Sequence, residues 1–345
     1  MNGLASKNAP EIGGYPVGTV AHTRAPAKLN LFLELKARRD DGFHEIDTVM
    51  VPIDWCDELR IRRSTEPGIR LTIDWLPSRK VVAQRLGIDD DPKRSNDLLS
   101  IPVGESNLVS RALSRFIAEF NIVGGFDCEL RKSVPAGAGM GGASSDAASA
   151  IACAAKLCGI DSRHPKLMDI AASIGSDVPF FLGLGINPMS AIRATGRGEC
   201  LSPVNLAEPL HVVVIYPSVS LSTGKVYAAS QVPDEPIDGS EIVRSLERGD
   251  LRAITRRMIN RLSEPARILA PQIDEIIESV WRTSGITCQL TGSGSACFAI
   301  VRSPVQARRL ANLLQATLGR TSSAGSGAVI VGTRTTQVPT TISIQ

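Results

Sequence analysis

The sequence predicts an α+β protein of two domains, on three observations. A run near residue 30 alternates apolar and polar positions, helical spacing follows from 107 to 175, and strands mixed with helices restart near 201. At 345 residues the chain exceeds what one ordinary core needs. The expected division is a disordered tail over 1–20, one domain over 21–200, a second over 201–335, and a loose tail over 336–345.

In APAKLNLFLEL (25–35), Leu29, Leu31, Leu33 and Leu35 alternate with Lys28, Asn30, Phe32 and Glu34, the period of a strand with one buried face. Lys28 and Asn30 therefore share a side. The polar turn RRDDG leads to FHEIDTVMVPI, and DELRIRR and IRLTID continue a meander. Residues 77–104 mix Pro, Gly, Asp and charge and are expected as a surface insertion. NLVSRALSRFIAEF places Leu108, Ala112 and Phe116 on a helical stripe. A strand, FDCELRKSVP, precedes a glycine-rich loop and the helix SSDAASAIACAAKLCGI, with Ala147, Ile151, Ala154 and Cys158 as its stripe and Gly159 as its stop. HPKLMDIAASIG is a further helix. After 201 come strand HVVVIYPSV, helices EIVRSLERG and PQIDEIIESVWRTSG, strand CQLTGSGSACFAIV, helix PVQARRLANLLQATLG and strand GAVIVGTR.

Composition narrows the function classes. The formal charge is +3, from 38 basic and 35 acidic residues with no long block of one sign, which argues against a nucleic-acid or membrane surface and for a small-molecule partner. Seven cysteines without a CxxC pair and four scattered histidines give no metal spacing and point to reduced thiols in the cytoplasm. No apolar run reaches the roughly 18 residues of a membrane span.

The loop PAGAGMGGASSDAA (135–148) carries four glycines within six positions just before a helix. Glycine permits positive φ and close approach to the main chain; a helix start adds unpaired N–H groups and a positive dipole end, the makings of a phosphate site. No Lys-Ser/Thr follows, so it is not a Walker loop, and the GxGxxG spacing of dinucleotide folds is absent. Ser144, Ser145 and Asp146 read equally as helix caps and as contacts to phosphate or magnesium.

This loop resembles the ATP loop of the GHMP kinases, and PAKLNLFLEL with RRDDGFHEIDTVM, GSDVPFF and LTGSGSACFAI resemble further signatures of that family, in order over roughly 24–335. The resemblance implies a ribosomal-protein-S5-domain-2-like N-terminal domain, a ferredoxin-like C-terminal domain and a site in the cleft between them. It implies ATP-dependent phosphorylation of an alcohol: the 2-hydroxyl of a cytidine-diphosphate-linked methylerythritol of non-mevalonate isoprenoid synthesis. ATP and Mg2+ are the implied cofactors, and a monomer or weak homodimer the implied assembly. Lys28 and Asp177 would be catalytic, Asp177 taking the hydroxyl proton. By their residues alone they read as a strand-end cation and a turn aspartate. Pro135, Ala136, Gly137, Ala138, Gly139, Met140, Gly141, Gly142, Ala143, Ser144, Ser145 and Asn107 would bind the nucleotide; Asn107 by itself is a helix N-cap. Asn30, Phe43, His44, Tyr227, Thr291, Gly292 and Ser293 would bind the acceptor, with Phe43 and Tyr227 stacking on cytosine and His44 at its edge. Thr291, Gly292, Ser293 and Gly294 otherwise read as a glycine bulge. GRGE (196–199) resembles a family segment and is given no chemistry. Met140 stands where leucine is usual, Ala143 where glycine is, and Phe43 where tyrosine is. Another small-alcohol member, of the homoserine or mevalonate kinase type, and a non-catalytic nucleotide-binding relative are the alternatives. RRDDGFHE argues against the first; Lys28, Asp177 and the intact loop argue against the second.

Overall fold

The computed structural model describes residues 14–89, 97–186, 191–318, 327–336 and 341–345. Its first sheet is built on a long antiparallel pair, β1 (Val20–Arg38) and β2 (His44–Ser64). β3 (Gly68–Trp75) runs parallel to β4 (Gly125–Lys132), which pairs with β2. β5 (Ala191–Gly196) pairs with the opposite end of β2 and with β6 (Cys200–Val204). Helices α2 (Leu108–Phe120), α3 (Gly142–Leu157), α4 (Pro165–Ile174) and α5 (Val178–Ile186) cover this sheet. α3 sits in the middle, packed on β1, β2, α2, α4 and α5, so its buried surface extends well beyond the expected stripe to Ala148, Ala150, Cys153 and Ala155.

The second sheet is antiparallel in the order β11 (Ala328–Arg334), β7 (His211–Pro217), β10 (Cys297–Val301), β9 (Cys288–Leu290). Helix α10 (Gln272–Ser284) precedes β9, and α11 (Pro304–Leu318) joins β10 to β11. Strand order fourth-first-third-second with both helices packed against the sheet is the ferredoxin-like arrangement.

Several expectations are corrected. β1 is buried on both faces from Ala25 to Leu35: the leucines meet the second half of the chain, and the polar positions are closed as well, Lys28 by the glycine loop and Glu34 by Arg261. Leu29 and Leu31 enter a core shared with Val212, Tyr216 and Phe298, while Leu33 and Leu35 enter that of Ile273, Leu310 and Leu314. The stretch 77–104 is not simply a surface insertion: α1 (Arg79–Leu86) buries Val82, Ala83 and Leu86 in the shared core, and residues 90–96 lie outside those described. Of the expected N-terminal tail, Tyr15 donates its N–H to Leu157 O at 2.8 Å and Gly18 its own to Arg63 O at 3.0 Å; residues 1–13 lie outside those described. The expected C-terminal tail returns to the first sheet, where β12 (Ser343–Ile344) pairs with β1 at Ala21 and His22. β6 carries the first sheet past residue 201 to Val204. The strand expected over 288–301 is the hairpin β9–β10, turned by Thr291–Ala296. Three seven-residue helices went unread: α6 (Thr223–Ala229), α8 (Leu251–Arg257) and α9 (Ser263–Leu269). They flank α7 (Ser240–Arg248) and the two-residue β8 (Ile259–Asn260), which pairs with β1.

Candidate active site

A cleft of about 910 Å³ runs between the two sheets, floored by β1 and the glycine loop. β1 sets its centre. The Asn30 N–H leaves β1 on the edge away from β2, as the Lys28 N–H does two residues earlier, and donates to Thr291 Oγ1 at 3.0 Å; a bulge follows between Asn30 and Phe32. The Asn30 side chain donates to Thr48 Oγ1 at 2.9 Å and accepts from Lys28 Nζ at 2.5 Å, as the shared side predicts. Lys28 is 4% exposed, and its backbone N–H is held by Met140 O at 2.9 Å. Burial lowers the pKa of its ammonium; Asp177, with Oδ2 at 3.7 Å from Nζ, opposes that shift. Asp177 opens α5, its carbonyl accepting from Phe181 N. Its carboxylate has no closer cation among the described residues and stays a third exposed.

The glycine loop meets the hairpin turn of the second sheet. Gly137, Gly139 and Gly141 have φ of 63°, 74° and 69°, which only glycine adopts readily. A Cβ on Gly139 would stand 2.2 Å from Thr291 O, and one on Gly292 would stand 2.7 Å from Gly139 O. The two loops interlock through their missing side chains. Ala296 N donates to Ala138 O at 3.2 Å, and Asn260 Nδ2 bonds the carbonyls of Leu290 and Gly292 at 2.9 and 2.8 Å. Gly141 caps α3, and Gly142, Ala143, Ser144 and Asp146 continue the cleft wall.

Beneath the helix start lies a charge cluster that sequence reasoning missed. Lys132 Nζ donates to Asp57 Oδ2 and, at 2.6 Å, to Asp146 Oδ2; Asp57 Oδ1 accepts from Ser133 N and Val134 N. All three side chains are buried. Burial pushes the Asp146 carboxyl up to about 8, Lys132 opposing and Asp57 adding. Asp146 Oδ1 and Ser145 Oγ are buried without a hydrogen-bond partner. Of the three, the sequence singles out only Asp146, as a helix cap or a contact to phosphate or magnesium.

At the far end, Phe43 is 57% exposed and Arg197 lies over its ring at 5.0 Å from the centroid. GRGE, given no chemistry, thus supplies Arg197, Gly198 and Glu199 to the lining. The His44 and Tyr227 rings are 5.6 Å apart and tilted by 38°. Burial and then Arg38 lower the His44 pKa, while burial, with Asp177 adding, raises that of Tyr227 to about 12. Thr223 on α6 bonds Ser293 Oγ at 2.9 Å.

Most of the expected residues line this one cleft: Lys28, Asn30, Phe43, His44, Asn107, Pro135 to Gly139, Gly141 to Ser144, Asp177, Tyr227, Gly292 and Ser293. Met140, Ser145 and Thr291 do not; they are buried behind it as supports. Asn107 is an N-cap, accepting from Val109 N at 2.9 Å and donating to Pro102 O at 2.8 Å, so its amide is committed to its own helix and loop.

Comparison with known proteins identifies the family and the fold. Residues 107–184 match the GHMP kinases N terminal domain and 242–320 the GHMP kinases C terminal. The chain is 46% identical over 331 residues to the 4-diphosphocytidyl-2-C-methyl-D-erythritol kinase of Rhodopirellula baltica, covering 93% of this chain and 97% of that one. It is 34% identical to the kinase of the same name from Ralstonia nicotianae, covering 84% and 88%. A crystal structure of 4-(cytidine 5'-diphospho)-2C-methyl-D-erythritol kinase superposes with a TM-score of 0.67 at 30% identity, covering 91% of this chain and 99% of that one. A homoserine kinase from Cytophaga hutchinsonii shares the fold at TM-score 0.67 and 17% identity, over 99% and 100% of the chains. With a relative this similar along nearly its whole length, the chain belongs to the 4-diphosphocytidyl-2-C-methyl-D-erythritol kinase family of GHMP kinases.

Proposed function

We propose that the chain transfers the γ-phosphoryl group of ATP to the 2-hydroxyl of 4-diphosphocytidyl-2-C-methyl-D-erythritol, giving the 2-phosphate and ADP. The observation that carries this reading is the Lys28–Asp177 pair, 3.7 Å apart in the same cleft as the glycine loop and an exposed aromatic ring. Phosphoryl transfer through a loose transition state needs placement and charge compensation more than covalent help. The glycine loop and the α3 N-terminus receive the ATP phosphates. Lys28, held by Asn30, directs its remaining N–H groups at the acceptor oxygen and the transferring group. As the acceptor oxygen bonds to phosphorus and the bond to the ADP oxygen breaks, the hydroxyl proton passes to Asp177 and then to solvent. Phe43 stacks on the cytosine, with His44 and Tyr227 beside it.

Among the described residues no group of three or more His, Cys, Asp or Glu is placed to hold a metal ion. The unpartnered Asp146 Oδ1, on the cleft wall, is a hard oxygen donor at the phosphate end, which suits Mg2+ whose other ligands are phosphate and water. When bound, the ion offsets phosphate charge. No described helix is long and apolar enough to cross a membrane. A cytoplasmic monomer or weak homodimer is the accompanying reading.

The test is ADP release with 4-diphosphocytidyl-2-C-methyl-D-erythritol as acceptor, with homoserine and mevalonate as controls. Turnover on the cytidylyl alcohol alone, lost in Asp177→Ala, is expected. Turnover confined to homoserine or mevalonate would overturn the acceptor, and ATP binding without turnover on any alcohol would overturn the activity.

A further inference from the structure

Glu34 on β1 and Asp47 on β2 stand directly opposite each other and are 0% and 2% exposed. Opposed like charges repel, and burial without partners is costly. Each carboxylate has its own guanidinium. Arg261 Nε and Nη2 reach Glu34 at 2.6 Å each, and Arg193 Nε and Nη2 reach Asp47 at 2.8 and 2.7 Å. The same two carboxylates accept N–H groups from one segment of the second half, Ile237 N at 3.2 Å on Glu34 and Gly239 N at 2.9 Å on Asp47.

Every residue of that segment from Pro236 to Ser240 is tied. Lys36 Nζ donates to Pro236 O at 3.5 Å, Arg193 Nη2 to Asp238 Oδ2 at 2.8 Å, and Arg193 Nη1 to Ser240 Oγ at 2.9 Å. A Cβ on Gly239 would stand 3.0 Å from Asp47 Oδ1, so the segment lies flush on the carboxylate. It follows α6, which carries Tyr227 against His44 and Thr223 against Ser293. His44 and Ile46 line the cleft from β2, and Asp47 points to the opposite face of that strand. The chain thus runs from α6 on the cleft side to an anchorage on the reverse side of the same strand pair.

We propose that Asp47 and Glu34, with Arg193 and Arg261, are positioning residues. By anchoring 236–240 they fix Tyr227 relative to His44 and so set affinity for the cytidylyl acceptor without touching it. This rests on the reading of that end of the cleft as the cytosine pocket. In steady-state assays of the full chain, Asp47→Ala is expected to raise the acceptor KM about tenfold, with kcat and the KM for ATP within twofold. Asp47→Asn, which keeps one acceptor oxygen, should recover part of the loss, and Asp238→Ala, at an exposed tie, should give a smaller rise with kcat unchanged. The double variant Asp47→Ala/Tyr227→Leu should have an acceptor KM no higher than Tyr227→Leu alone. An acceptor KM unchanged in Asp47→Ala, equal rises in both KM values, or additive effects in the double variant would each overturn the proposal. If Asp47→Ala does not fold, Asp238→Ala decides, and an unchanged acceptor KM there overturns it. Unchanged acceptor KM in both Tyr227→Leu and Phe43→Leu would instead remove the cytosine-pocket reading. A raised KM in those two with none in Asp47→Ala or Asp238→Ala removes only the anchor.

Discussion

Lys28 is a cation where cations are disfavoured: 4% exposed, with Asn30 Oδ1 as its hydrogen-bond partner and Asp177 at 3.7 Å. Between its lowered pKa and its ordinary value of 10.5 the unfolded chain binds more protons than the native one, so stability rises with pH there. Below that window the full cost of burying the charge is present. Lys28→Met should therefore lose about 10³-fold or more in kcat while its melting temperature at neutral pH stays level or rises. The parent enzyme should lose activity on the alkaline side with a midpoint below 10.5, as read from a pH–rate profile. Asp177→Asn is expected to lower kcat by about 10²–10⁴-fold with little change in either KM, measured by coupled ADP release. The Lys28–Asn30 relation was legible because a two-residue period needs no knowledge of the fold. Asp177 had only its family signature, since an aspartate before Val-Pro looks like a turn. Asn260 and Lys132 carried no signal, because the carbonyls and carboxylates that give them meaning lie 14 to 75 residues away.

The glycine loop illustrates what an element's sequence can and cannot carry. Its glycine density is the basis for proposing a phosphate cradle, but its demand for Gly139 comes from the partner loop, whose Thr291 carbonyl occupies the place of a Cβ. Backbone against backbone cannot give way, and φ of 74° adds strain, so Gly139→Ala should cost about 1–3 kcal/mol in urea unfolding and raise the KM for ATP. The anchored segment 236–240 adds a pH signature. Hydrogen bonds from Ser240, with Arg193 adding, hold Asp238 down to about 2 from its ordinary 3.8. A depressed carboxylate contributes stability above its unfolded pKa and loses it as pH falls through the folded one. The gap in melting temperature between the parent and Asp238→Asn should be open at pH 5 and close between 3.8 and about 2. Secondary structure was legible where periods were long. α6, α8 and α9 are seven residues each, two turns that packing rather than periodicity stabilises. α1 was hidden in a charged, proline-flanked stretch because only Val82, Ala83 and Leu86 mark its buried face.

At the scale of the molecule, the bipartite reading met a structure whose halves share material. One apolar core contains Leu29 and Phe32 of the first sheet, Met140 of the glycine loop and Tyr216 and Phe298 of the second sheet, while β8 and β12 return from late sequence to β1. The pattern of β1 revealed one buried face; burial of Glu34 among the polar positions depends on Arg261, 227 residues on, which no local period records. A shared core of this kind predicts a single transition: near- and far-ultraviolet dichroism should fall together in urea, and two separated midpoints would show independently folding halves. The bond from Asn30 N to Thr291 Oγ1 spans 261 residues. At a synthesis rate of about 5–20 residues per second, the ribosome needs roughly 13–50 s to deliver the second partner after the first. Through that interval the strand bearing Lys28 waits with its inner neighbours missing, so a chain truncated before Thr291 is expected to release no ADP in the acceptor assay.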